Sequence, residues 1–118
     1  MRLLVVDDAP CMLKAFRDIL EASEYEVFEA TNGEEALAVY SEVKPDIVLM
    51  DILMPKLDGV TATKKILERD PSAKIIVVSA MGKSGLEKEC MEAGVKDFIL
   101  KPFKIQELLA SIKSLARG

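Results

Sequence analysis

The stretch Ile47-Val48-Leu49-Met50-Asp51 decides the fold. Four apolar residues follow one another without polar alternation and end on an acid, the pattern of a strand buried on both faces in a parallel sheet. Leu3 to Val6 and Ile75 to Val78 repeat that continuous pattern on either side in the chain. Val27-Phe28, flanked by Glu26 and Glu29, alternates instead and reads as an edge strand. Phe98 to Leu100 is a short fifth run and the second natural edge. The carboxyl ends of the five runs recur at intervals of roughly 20 to 30 residues, room for one crossover helix each.

The segments between the runs carry the helical period. Met12, Phe16, Ile19 and Leu20 line one face of the first, and Ala36, Leu37 and Tyr40 the second. Val60, Thr63, Ile66 and Leu67 line the third, and Ile105, Leu108, Leu109, Ile112 and Leu115 the last. Thr31 with Glu34 and Ser84 with Glu87 have capping-box spacing, while Pro45, Pro71 and Gly94 punctuate helix ends. The fourth helix, about Leu86 to Glu92, is short, with the weakest apolar stripe; such an element suits either a moving part or a partly exposed surface helix. Five β/α units consume residues 1–118 as one domain, so the expected fold is α/β, a three-layer (βα)5 sandwich around a parallel five-stranded sheet.

Composition narrows the chemistry. The chain has 118 residues, 20 Asp plus Glu against 16 Lys plus Arg, a net charge of −4 and no histidine. Ser/His/Asp hydrolysis, Cys/His proteolysis and His-ligated zinc are thereby excluded within this chain. Without a basic stripe it lacks a nucleic-acid surface. Cys11 and Cys90 have no CxxC spacing and read as two reduced, buried thiols, with a disulfide as the alternative. No apolar run approaches the roughly 18 residues of a membrane span, and Met1 leads straight into a strand-like run, so a cytoplasmic protein is expected.

Function in an open parallel sheet gathers beyond the carboxyl ends of its strands. Those positions hold Asp7 and Asp8 after the first run, Asp51 after the third, Ser79 after the fourth and Lys101 after the fifth. Taken singly, Asp8 before Pro10 could be a helix cap, Ser79 a turn hydroxyl and Lys101 a solvated charge. Together they crowd three carboxylates, an arrangement that costs energy unless a cation shares it. With oxygen ligands only, the expected cation is Mg²⁺, with Mn²⁺ as an alternative. Cation, ammonium and hydroxyl could neutralise phosphoryl oxygens while Asp51, on the central strand, attacks in line to give an aspartyl-phosphate.

Val5-Val6-Asp7-Asp8, Met50-Asp51-Ile52-Leu53-Met54-Pro55 with Asp58-Gly59, Ser79-Ala80, and Phe98 three residues before Lys101-Pro102-Phe103 resemble the receiver domain of two-component response regulators along the full length of the chain. The resemblance implies a flavodoxin-like sheet of order 2-1-3-4-5. It implies Asp51 as phosphoacceptor for a histidine kinase or phosphotransfer protein. Mg²⁺ would be held by Asp8, Asp51 and the Leu53 backbone carbonyl, with Asp7 acting mainly through water. Ser79 and Lys101 would contact the phosphoryl group, Phe98 would be the aromatic switch residue, and Lys101-Pro102 a cis peptide. Phosphorylation would then alter partner binding on the face formed by the fourth helix, fifth strand and fifth helix. Apolar Leu53 and Met81 beside the acceptor offer nothing to orient water, so slow loss of phosphate is expected.

Two other classes compete. Metal-dependent aspartyl-phosphate phosphatases carry a second Asp in a D-x-D motif as acid/base, where this chain has Leu53. A flavin module would need a phosphate loop after the first strand, but Asp7-Asp8-Ala9-Pro10 is anionic. Within the receiver reading, Ser79-Ala80-Met81-Gly82 is similar to chemotaxis-type receivers, which implies a flagellar motor switch component as target. A phosphorelay intermediate, or a receiver excised from a larger regulator, is the alternative.

Overall fold

The computed structural model describes residues 1–52, 59–80 and 85–117, the side chain of 117 excepted. Strands and helices alternate as β1 (Arg2–Val6), α1 (Pro10–Ala22), β2 (Glu26–Ala30), α2 (Gly33–Val43), β3 (Ile47–Asp51), α3 (Gly59–Arg69), β4 (Ile75–Ser79), α4 (Leu86–Ala93), β5 (Asp97–Leu100) and α5 (Ile105–Arg117). All strand pairs are parallel, in the order β2-β1-β3-β4-β5. This is the flavodoxin-like sandwich expected, with β2 and β5 at the edges.

The continuous apolar runs are explained by two cores, one on each face of the sheet. Leu4, Val6, Val48, Met50, Ile75 and Val77 meet Ala36 of α2, Ala62 and Ile66 of α3, and Cys90 of α4. The intervening residues Leu3, Val5, Ile47, Leu49, Ile76 and Val78 meet Leu13, Phe16 and Leu20 of α1 and Leu108 and Ile112 of α5. Successive side chains point to opposite faces, so a strand covered on both must be apolar throughout. Edge strands need less: β2 and β5 each keep residues in partial or full contact with solvent.

Several local expectations are corrected. Asn32, not Thr31, caps α2: its side chain accepts the Glu35 N–H at 2.9 Å, and Glu35 Oε1 in turn accepts the Thr31 N–H at 2.9 Å. Asparagine is at least as good a cap as threonine, and this register turns Ala36 fully inward. Ser84 lies outside the described residues; the residue preceding α4 is Gly85 at φ 104°, with no side-chain cap. On α1 the buried stripe is Leu13, Phe16 and Leu20, while Met12 and Ile19 are only half-buried. Ile105 on α5 is exposed. Cys90 is buried as expected, but Cys11 lies off the inward stripe and is exposed; both thiols are free. Among the described residues no helix is long and apolar enough to cross a membrane.

Candidate phosphoacceptor site

The sheet register assembles the site. Val6 pairs with Met50, which sets Asp7 beside Asp51, and Asp51 pairs with Val78, one residue before Ser79. Ser79 pairs with Leu100, and its carbonyl accepts the Lys101 N–H at 2.8 Å. Asp51 and Ser79 are thus the last residues of their strands, where the sequence placed them one step beyond. All five residues stand at one edge of the sheet.

Asp7, Asp51 and Ser79 are 2%, 9% and 0% exposed, whereas Asp8 is open to solvent. One ligand oxygen from each of Asp7, Asp8 and Asp51 lies within 4.8 Å of the others. Lys101 Nζ stands 3.5 Å from Asp7 Oδ2 and 3.9 Å from Asp51 Oδ2. One ammonium is thus shared by two of the three clustered carboxylates.

Asp7 divides its two oxygens between tasks. Oδ1 accepts the Ala9 N–H at 3.0 Å and fixes the turn into α1. Oδ2 is buried without a hydrogen-bond partner among the described residues. A buried carboxylate oxygen left in that state is costly unless water or a cation completes it. Asp8 does not cap α1, since the cap residue is Ala9, which makes no side-chain cap bond. A buried oxygen that has an ion pair with Lys101 but no hydrogen bond among the described residues, together with an all-oxygen cluster, fits a hard divalent cation. Leu53, expected to lend a carbonyl, and Met81 lie outside the described residues.

Behind the site, Phe98 is half-buried against the core shared by α2, α3 and α4, beside Val77 in the sheet. Its neighbour Asp97 accepts the Phe98 N–H at 2.8 Å through Oδ1 and the Ser111 hydroxyl of α5 through Oδ2, which ties β5 to α5. The Lys101-Pro102 peptide is cis. Beyond Lys101, Met12, Ile19, Ala80, Pro102, Phe103 and Ile105 line an apolar groove of about 510 Å³ between α1 and the start of α5. The groove is not evident from the sequence pattern, because Met12 and Ile19, on the apolar face of α1, line its wall instead of the sheet.

A parallel sheet of this order, with acids after β1 and at the end of β3 and a lysine after β5, is the arrangement of a response regulator receiver. Residues 3–113 match the response regulator receiver domain model, and the chain belongs to that family. Within it the chain is CheY-like. It is 48% identical to the chemotaxis protein CheY of Thermotoga maritima, over 98% of each chain, and 46% identical to that of Listeria monocytogenes, over 99% of each. Among solved structures it is similar to the CheX–CheY–BeF₃–Mg²⁺ complex from Borrelia burgdorferi, with a TM-score of 0.94 and 36% identity over 98% of this chain and 89% of that one. Nothing in these matches supports the phosphatase alternative.

Proposed function

We propose that the chain is a phosphorylation-controlled signalling switch whose phosphoacceptor is Asp51. The observation that carries this reading is the grouping at Asp51: a carboxylate at the end of the central strand, clustered with Asp7 and Asp8 and 3.9 Å from the Lys101 ammonium. A carboxylate oxygen of Asp51 forms the new O–P bond, while the P–N bond to the donor's imidazole breaks and its electron pair stays on nitrogen. The donor must be a separate histidine kinase or phosphotransfer protein, because this chain has no histidine. Asp8 and Asp51 would hold Mg²⁺, with Asp7 acting mainly through water. Bound there, the cation supplies charge neutralisation for the phosphoryl oxygens.

Lys101 balances charge on the acceptor and on the incoming oxygens. Ser79 at the end of β4 supplies a hydroxyl to the phosphoryl group, and Phe98, two strand positions before Leu100, follows its movement. The α4–β5–α5 face then changes affinity for its target. The chain turns over no external substrate, which follows from Leu53 standing where a phosphatase has its acid/base Asp.

The relatives named chemotaxis protein CheY favour chemotaxis as the pathway. A flagellar motor switch component as target and a cytoplasmic location belong to the same proposal and rest on the resemblance to chemotaxis-type receivers. A phosphorelay intermediate is the second reading. Incubation with Mg²⁺ and acetyl phosphate, followed by intact mass, tests the chemistry. A phosphate-sized gain, lost in Asp51→Asn or on chelation, is the expected result; no gain under conditions that label an authentic receiver overturns it.

A further inference from the structure

Gly59, the first residue of α3, has no assigned part in the chemistry, yet it lies against the backbone of the acceptor strand. Its N–H donates to the Ile52 carbonyl at 3.0 Å. A Cβ at this position would overlap the Asp51 carbonyl oxygen and stand 2.6 Å from Ile52 Cα and 2.9 Å from the Asp51 carbonyl carbon. All three obstacles are main chain, so no flexible side chain can move aside. The absence of a side chain is therefore what lets α3 press directly on the peptide that carries Asp51.

We propose that Gly59 is a positioning residue for Asp51: by hydrogen bond and direct backbone contact it fixes the end of β3, and so holds the acceptor carboxylate in register with Asp7, Asp8 and Lys101. This rests on the reading of Asp51 as phosphoacceptor. Even one methyl group at position 59 must either lift the start of α3 or displace the Asp51 peptide. The Asp51 carboxylate has little slack, being 9% exposed and confined between neighbours on β1 and β4. Displacements of about 1 Å at a reacting group can cost about 100-fold in rate.

Gly94 provides the control. It sits at φ +114° with its would-be Cβ 3.3 Å from a Leu67 methyl, so Gly94→Ala is also strained, but at the C-terminal end of α4, ahead of the start of β5, whereas the carboxylates lie at the strands' carboxyl ends. Mg²⁺ affinity of the unphosphorylated protein, acetyl phosphate labelling rate and melting temperature are measured for native chain, Gly59→Ala and Gly94→Ala. Gly59→Ala is expected to lose about 10-fold in Mg²⁺ affinity and 10- to 100-fold in labelling rate. Gly94→Ala is expected to melt lower while binding Mg²⁺ as the native chain does. Native metal affinity and labelling rate in Gly59→Ala, or an equal loss of affinity in Gly94→Ala, overturns the positioning role.

The native chain gives an independent readout should Gly59→Ala fail to fold. The Gly59 amide resonance is expected to move on Mg²⁺ titration while that of Gly94 stays in place; a stationary Gly59 signal at saturating Mg²⁺ overturns the proposal. A native chain that neither binds Mg²⁺ nor labels overturns the phosphoacceptor reading itself, so the two failures are distinguishable.

Discussion

Lys101 Nζ lies 3.5 Å from Asp7 Oδ2, the one oxygen of that buried carboxylate that has no hydrogen bond among the described residues. The ammonium thus serves two acids at once, since Asp51 Oδ2 is 3.9 Å away. Lys101→Ala removes the ammonium that ion-pairs with both Asp7 and Asp51. Labelling by acetyl phosphate is expected to fall by about 100-fold, the scale of losing one charge-stabilising donor. A labelling rate within threefold of native would show that Lys101 only balances the resting acids.

Three acids within 4.8 Å share one ammonium and are left with an excess of negative charge in the absence of a metal ion. Asp51→Asn is therefore expected to raise stability in metal-free buffer by about 1 kcal/mol, or about 4 °C in melting temperature. Saturating Mg²⁺ should reverse the order, because a ligand at 100 times its Kd stabilises the native chain by about 2.7 kcal/mol while the variant has lost a ligand. Thermal melts of both proteins with EDTA and with Mg²⁺ decide it.

Much of this site is legible in the sequence. Ile47 to Met50 and Ile75 to Val78 are apolar at every position because helices cover both faces, and the acids that end such runs fall at the sheet's carboxyl edge. What escaped reading depends on approach in three dimensions. Met12 and Leu13 are adjacent and both apolar, and only the seating of α1 on the sheet decides that Leu13 goes inside. Cys11 faces solvent for the same reason. Asn32 and Thr31 are both competent caps, and the packing of Ala36 chooses between them. The Gly59 contact with Asp51 belongs to the meeting of α3 and β3, which no local pattern encodes.

The two thiols should differ sharply in reactivity. Cys11 is exposed at the start of α1, whereas Cys90 is buried and burial raises its pKa, which disfavours the reactive thiolate. An aromatic disulfide reagent at pH 8 is expected to titrate one thiol rapidly in the native protein and both in denaturant. Rapid native reaction of both would mean that α4 opens far more readily than its packing suggests.

At the opposite edge of the sheet, Tyr40 donates its hydroxyl to Asp70 Oδ2 at 2.7 Å. Burial, then the Asp70 contact, pushes the phenol above its ordinary value. A raised folded pKa means the folded state holds the proton more tightly, so this contribution is complete below about pH 10 and declines as pH rises beyond it. Tyr40→Phe is expected to cost about 1–2 kcal/mol at pH 7 and to flatten the alkaline fall in stability. Urea melts from pH 7 to 11 test it; an unchanged alkaline slope in the variant would show that Tyr40 does not govern that limb.

Helix α4 is held by few contacts. Among its residues only Cys90 is buried, and Lys64 of α3 bonds Glu89 at 3.0 Å with both side chains about half exposed. Such a pair is worth about 0.2–1 kcal/mol, and salt weakens it. By contrast α1 buries three large apolar side chains and α3 buries Ile66 and Leu67. Opening α4 alone should therefore need much less free energy than opening α1, and Lys64→Ala should lower it further without altering global stability by more than about 0.5 kcal/mol. Hydrogen exchange is expected to show α4 amides exchanging ahead of those of α1, and faster still in Lys64→Ala or at high salt. Equal protection of α4 and α1 would mean that contacts other than Cys90 and the Lys64–Glu89 pair anchor this helix.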